Sequence, residues 1–420
     1  MKKTIIILLC CVFLICHIQL AFASSGTDDV INSSILLFKF LKPYTDTIRL
    51  ANGVAFLNMI YQQKIEFVPE SSNLTINGSW VRNTSQTTVD MLQNTNVALP
   101  TWFSLTKKKG QFVVAVDKRA SIDFVNECHS RGIEVWAMFS SFEKKLTREL
   151  MKSNKGRASV ISQLLQIVDS LNLDGINLDF ENMYPEDKEL FTRFVREVTT
   201  ALKEKDLVVS VDVTRPTNDP NNSYSGCYDR KALGEIVDYV FLMAYDQHWR
   251  TSPKNGPVAS LPWVKESVVL TLKEVDPSKL ILGIPFYTYD WLTNAKTGKR
   301  HSNGVARSFN QIRDMIAKGE FIDSTNTKVR IKEWYVSPKW HNSQGVSYMK
   351  FLGTDGYVHE IWFEDDQSLY LKKRVAELYG LAGICAWSAE FADDSTWKIF
   401  HPDLSQMILN SPTEHDIVQP

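Results

Sequence analysis

Short apolar runs with a two-residue rhythm alternate along this chain with longer stretches whose apolar positions recur at helical spacing. The run Leu173-Asp174-Gly175-Ile176-Asn177-Leu178-Asp179-Phe180-Glu181-Asn182 shows the first rhythm most clearly. With the period of a strand, Asn177, Asp179 and Glu181 share one face, and Ile176, Leu178 and Phe180 share the other. The flanks, Ile161 to Leu171 and Lys188 to Leu202, read as amphipathic helices. A short strand between helices belongs to a parallel sheet, which is normally buried on both sides. Acids inside such a sheet cost several kcal/mol unless paired, hydrogen-bonded or protonated. For a single Asp, a solvated strand end is an equally good reading. Three polar residues on one face, ending in Glu at the strand's C-terminal end, point to a catalytic site.

The same alternation continues over most of the chain. Strands are predicted at Leu74 to Val81, Asn96 to Phe103, Ile133 to Phe139, the run above, Leu207 to Val213, Asp238 to Tyr245, Leu280 to Phe286 and Leu381 to Trp387. Helices are predicted at Ser121 to Arg131 (closed by Gly132), Arg157 to Leu171, Glu186 to Leu202, Val264 to Glu274 and Leu369 to Tyr379. Strands alternating with helices in this number predict an α/β fold, a (β/α)8 TIM barrel over residues 73–402. Between strands seven and eight, the span from Asp290 to Ile361 is too long for a loop. It holds a helix at Phe309 to Ala317 and strands around Lys328 to Val336 and Tyr357 to Phe363. This is a small α+β insertion, at about 291–361, placed to wall the mouth of the barrel. Residues 24–72 lack the rhythm and form an N-terminal extension without an assigned role. After Phe391 come a closing helix and a polar tail, 403–420.

Lys2 and Lys3 precede an apolar run that ends in Ala21-Phe22-Ala23, the layout of a signal peptide over residues 1–23 cut after Ala23. His17 and Gln19 shorten the run below the roughly 20 residues a membrane span needs. Export to the cell envelope or beyond is expected, with no integral span after cleavage. The 44% hydrophobic and 23% charged content is that of a globular chain, and a net charge of −1 leaves no footprint for nucleic acid. Cys128, Cys227 and Cys385 remain after cleavage; without metal spacing they read as buried small hydrophobes. The short basic signal looks bacterial, so the Asn sequons are taken as chance.

Barrel enzymes work at the C-terminal mouth of their strands. There the chain places Trp102, Asp179, Glu181, Tyr245, Asp246, His248, Tyr287 and Trp387. Acids converging with flat aromatic faces suit a sugar, whose ring stacks while carboxyls act on the glycosidic bond. Core packing is the ordinary role for any one aromatic, and it is the one expected of Trp136 and Trp263. His248 has no second His at ligand spacing, so a structural role, no metal and no cofactor are expected. Ordinary glycosidases set two carboxyls on opposite sides of the scissile bond, ~5 Å or more apart. Asp179 and Glu181, two apart on one strand, point the same way. One must assist the other, and the nucleophile comes from elsewhere; a substrate acetamido group can supply it.

Asp174 to Glu181 resembles the DxxDxDxE signature of glycoside hydrolase family 18, the chitinase-like enzymes, a family with substrate-assisted members. The resemblance runs from about Val97 to Trp397. It is strongest to the bacterial branch with spore cortex-lytic N-acetylglucosaminidases, through Asp174 to Asn182, Met243 to Trp249, Gly256 to Val264 and Gly283 to Trp291. The resemblance implies Glu181 as acid and base, Asp179 orienting the acetamido group and stabilising an oxazolinium ion, and Tyr245 bonding the acetamido carbonyl. It implies Trp387 as the floor of the sugar site, with Asp174 and Asn177 shaping hydrogen bonds and pKa values beneath. Asp246, Trp102 and Tyr287 are expected at the substrate too. Asn177 stands where chitinases commonly have Asp, so the proton-shuttling partner of Asp179 is expected to be absent, although this branch often has Asn there. Phe139-Ser140-Ser141 replaces the family's SxGG.

The expected function is a secreted, monomeric, retaining hydrolase of β-1,4 bonds in N-acetylglucosamine-containing glycans, peptidoglycan first and chitin oligosaccharides second. Its rival is a non-catalytic glycan-binding barrel. A barrel for phosphorylated metabolites would need a Gly-rich phosphate loop that is missing after strands seven and eight.

Overall fold

Alternation in the strand Gly175–Phe180 is resolved by burial on both faces. Ile176, Leu178 and Phe180 point outward, where the Phe180 ring meets Phe191 and Phe194 at 5.8 and 5.4 Å. Both partners sit on the helix Lys188–Lys203. Asn177 and Asp179 therefore face the lumen. The computed structural model describes residues 74–401 except Ser85 and Ser324. The expected signal peptide, extension and tail lie outside the described residues.

Eight parallel strands close into a barrel: β1 (Ile76–Val81), β2 (Val97–Pro100), β3 (Glu134–Ser141), β4 (Gly175–Phe180), β5 (Val208–Thr214), β6 (Tyr239–Met243), β7 (Leu280–Pro285) and β8 (Gly383–Trp387). Each pairs with the next, and β1 pairs with β8, Ile76 opposite Gly383 and Ser79 opposite Ala386. This is the (β/α)8 barrel that the sequence predicts. Trp80, Trp136, Met138, Phe241, Ile281 and Cys385 fill the lumen. Trp136 stacks on Tyr239 at 5.4 Å and is core, as expected. Trp263 is instead half-buried, with the Arg215 guanidinium 5.2 Å above its ring. Cys128, Cys227 and Cys385 are buried free thiols.

Several elements depart from the sequence reading, among them the short helices Gln86–Met91 and Lys144–Lys152. β2 stops at Pro100, and Phe103–Lys108 then pairs with Gln111–Val116 as a hairpin. Lys109 and Gly110 turn it with positive φ, and three consecutive lysines hide its alternation. A short helix, Arg230–Ile236, capped by Asp229, precedes β6.

The insertion is a six-stranded antiparallel sheet with one helix, Phe309–Lys318, which starts in a capping box of Ser308 and Gln311. Its strand Tyr357–Phe363 matches the expected bounds, and the other expected strand extends to Lys328–His341. Ile312, Met315, Phe321, Met349, Phe351 and Ile361 form a separate small core. Beside it Asp290 is fully buried, 2.8 Å from Arg307 and 2.9 Å from His359. The first strand of this sheet, Thr288–Asn294, starts just beyond β7. The insertion therefore stands directly on the mouth of the barrel.

Candidate active site

The inner face of β4 keeps one polar side chain below the mouth and sends two to it. Asn177 is fully buried, Asp179 is 4% exposed, and Glu181, just past the strand end, is half-buried. Asn182 follows at φ 51°, a left-handed conformation that Asn tolerates, and ends the strand there. Above them opens a cavity of about 340 Å³. Asp179, Glu181, Asp212, Tyr245, Asp246 and Trp387 line it, with Phe142 and Phe391 as apolar rim and Tyr287 and Tyr289 on the insertion side. A larger groove, about 890 Å³, lies on the outer wall between the helices Asn154–Leu171 and Lys188–Lys203 and holds none of these groups.

The floor is a fixed polar chain. Trp80 Nε1 donates to Asn177 Oδ1 at 3.4 Å, and Asn177 Nδ2 donates to Asp212 Oδ1 at 2.7 Å and Ser210 Oγ at 3.1 Å. The Tyr245 ring lies 28° from the plane of Trp387, 6.4 Å between centroids. Gly283 makes room for it: a Cβ there would sit 3.2 Å from the Tyr245 ring and 2.7 Å from the Leu242 carbonyl. Burial, with the charge of Asp212 next, keeps the Tyr245 hydroxyl protonated, so it serves as a donor.

Burial pushes the Glu181 carboxyl up to about 7, and the Asp246 charge adds to it. Asp246 opens onto solvent, which screens its charge, so burial is the larger cause. Asp246 adopts φ 58° and accepts a hydrogen bond from the Tyr287 hydroxyl. Burial, then Glu181 and Asp212, raise Asp179 well above the usual carboxylate range, and its Oδ1 has no hydrogen-bond partner. A proton donor poised at neutrality thus stands beside a buried acid lacking a ligand. That arrangement suits protonating a leaving oxygen and stabilising a nearby cation.

The sequence profile of glycosyl hydrolases family 18 matches residues 62–392. The chain belongs to this family. It is 27% identical over 278 residues to the uncharacterized glycosylase YvbX of Bacillus subtilis, across 64% of this chain and 74% of that protein. A cortical fragment-lytic enzyme of Bacillus anthracis is 26% identical over 259 residues, 62% of this chain and 56% of that one. The chain thus spans just over half the length of that relative. The structure of the Bacillus cereus spore cortex-lytic enzyme SleL shares the fold, with a TM-score of 0.66 over 80% of this chain and 76% of that chain, at 21% identity.

In this family 18 chain, the cavity gathers Glu181, Asp179, Tyr245, Asp246, Tyr287 and Trp387 from the expected residues. Three others stay away from it. Asn177 acts from beneath, through Asp212. Asp174 lies at the opposite end of β4, where its Oδ2 accepts from the Val135 amide at 2.7 Å and pairs with His129 Nε2 at 2.8 Å. It fastens the base of the strand, and its expected contact with substrate is withdrawn. Trp102 is withdrawn as well. β2 ends before it, so its ring is buried against Phe103 and Phe124, and Nε1 donates to Thr84 Oγ1 at 3.2 Å. His248 bonds the Pro257 carbonyl at 2.9 Å. Among the described residues, no cluster of three or more His, Cys, Asp or Glu could hold a metal ion, and no helix is long and apolar enough to cross a membrane.

Asp212 and Arg82 line the cavity without having been expected there. Asp212 carried a signal: in Val208-Val209-Ser210-Val211-Asp212-Val213-Thr214, three polar residues share one strand face, as in β4.

Proposed function

We propose that this chain is a retaining glycoside hydrolase acting on β-1,4 bonds of N-acetylglucosamine-containing glycans, peptidoglycan strands first and chitin oligosaccharides second. The observation that carries it is the meeting of Asp179, Glu181 and Tyr245 on one cavity beside Trp387. Both carboxyls rise from the same face of one strand, so they cannot flank a sugar ring, and the attacking atom is the substrate's acetamido oxygen. Glu181 gives its proton to the leaving oxygen. Tyr245 donates to the acetamido oxygen and Asp179 holds the nitrogen, so the group closes on the anomeric carbon as an oxazolinium ion. Glu181, now anionic, takes a proton from water that opens this ring from the same side, and configuration is retained.

Two observations favour the peptidoglycan order. Arg82 is the one basic side chain among the residues lining the cavity, where it can meet a carboxylate that chitin lacks. The Bacillus anthracis relative is, by name, a cortical fragment-lytic enzyme. Export follows from the N-terminal signal and puts the protein where such strands lie. The test is to incubate purified protein with chitooligosaccharides and with muropeptide strands, and to identify products by mass. Reducing-end fragments from wild type and none from Glu181→Gln support the reading. Binding without products by wild type would make the protein a glycan-binding barrel instead.

A further inference from the structure

We propose that Asp212 is the proton-holding partner of Asp179, a positioning residue on β5 that supplies what Asn177 cannot supply from β4. The inference rests on the hydrolase reading above. Pairing of β4 with β5 sets Asn177 opposite Ser210 and Leu178 opposite Val211. One step further along the same register come Asp179 and Asp212, both pointing into the lumen. Neighbouring strands lie about 4.8 Å apart, so the two carboxyls are side by side. Both are buried, and both line the cavity.

Their surroundings differ in a way that assigns the proton. Asp212 Oδ1 accepts from Asn177 Nδ2 at 2.7 Å, and that amide is oriented by Trp80 Nε1 on its oxygen and by its own second bond to Ser210. Burial raises both carboxyls above the ordinary range, but only Asp212 has fixed donors, which favour its charged form over that of Asp179. Asp179 Oδ1 has no partner at all. The titratable groups acting on Asp212 are Asp179 of β4, Glu181 just past its end, Tyr245 beyond β6 and Cys385 of β8, none of them cationic. Two adjacent buried carboxyls without a cation hold one proton between them. At rest the proton sits on Asp179 and the charge on Asp212.

The reaction needs the reverse. As positive charge grows on the closing acetamido ring, one proton leaves a carboxyl oxygen of Asp179 and joins a carboxyl oxygen of Asp212. No other bond changes in this step and no electrons are exchanged. Asp179 then faces the oxazolinium ion as an anion, and the proton returns when the ring opens. An Asn177 amide offers no site to receive that proton. Asp212 does.

The test uses Asp212→Asn, an isosteric change that keeps an acceptor oxygen for Asn177. On whichever glycan wild type cuts, kcat should fall about 10²-fold with little change in KM, and the acid limb of the pH profile should move. The double variant Asn177→Asp/Asp212→Asn, which moves the carboxyl back onto β4, should regain at least about tenfold in kcat. A second measurement needs no turnover. In the Glu181→Gln background, infrared titration follows the carbonyl stretch of a protonated carboxyl at neutral pH. Asp212→Asn should move its loss to lower pH, because the neighbouring negative charge is gone. Wild-type kcat and pH profile in Asp212→Asn, or an unmoved infrared titration, would overturn the proposal. If wild type cuts neither glycan, the hydrolase reading falls, and the infrared titration still decides the pairing.

Discussion

Glu181 is the residue whose chemistry is most exposed to pH. Its folded carboxyl titrates at about 7 against an ordinary 4.5, because burial disfavours the anion and Asp246 adds repulsion. As the proposed general acid it must carry its proton when substrate binds. The expected kcat/KM therefore declines as pH rises through about 7, and Glu181→Gln abolishes turnover while glycan binding persists. The same shift bears on stability, with the opposite sign to a salt-bridged acid. The folded state holds the proton more tightly than the unfolded chain, so this contribution is present below about 4.5 and is lost as pH rises towards about 7. Each pH unit of that window is worth up to about 1.4 kcal/mol. Glu181→Gln should accordingly melt above wild type at about pH 8 and alongside it at about pH 4, which thermal scans at the two pH values would show. Asp179→Asn should lower turnover by orders of magnitude, since the proposed mechanism uses its charge mainly in the transition state. Asp179 and Glu181 were legible in the sequence because a strand's period puts them on one face. Asp212 shows the same period, but a lone acid among valines reads as ordinary sheet until its neighbour across the register is known.

The insertion is held by an ionic cluster as much as by its small core. Burial alone would lower the His359 pKa, but the Asp290 and Asp355 carboxylates outweigh it and raise the imidazole to about 9 from 6.5. A raised folded pKa on a base means stability fully present below 6.5 and lost as pH climbs through about 9. His359→Gln should flatten that alkaline loss, measured as the melting temperature between about pH 6 and pH 10. Asp290→Ala should be more severe. It leaves Arg307 and the imidazolium buried without their shared carboxylate, at a cost of roughly 3–5 kcal/mol. Hydrogen exchange should then report opening of Val346–Gly353 and Tyr357–Phe363 ahead of the barrel strands. The helix and two strands of this insertion could be read from periodicity. Thr288–Asn294 could not, because it follows β7 after only Phe286 and Tyr287 and its Tyr289 and Trp291 look like a continuation of the barrel's aromatic rim.

At the scale of the whole molecule, the barrel was legible because each of its strands is buried on both faces and so stands out as a short apolar run. The distribution of charge was not legible, since a net charge of −1 conceals a cavity lined by Asp179, Glu181, Asp212 and Asp246 against Arg82 alone. A glycan carrying carboxylates is repelled by that interior when its acids are ionised, and Arg82 on the rim is the group that offsets it. Its guanidinium lies 4.9 Å above the Phe391 ring and 3.6 Å from Glu390, too far for a tight ion pair, which leaves donors free for a ligand. Glu390 is chiefly engaged elsewhere, accepting the Arg82 and Asn83 amides and the Ser388 hydroxyl. Arg82→Gln should therefore lower the ratio of kcat/KM for muropeptide strands to that for chitooligosaccharides by about tenfold, an effect of about 1.4 kcal/mol. Because Arg82 faces solvent, added salt should erode the wild-type ratio in the same direction and leave that of the variant flat. Equal loss on both glycans would instead assign Arg82 to holding the Phe391 rim, and the order of substrates would then rest on the relatives alone.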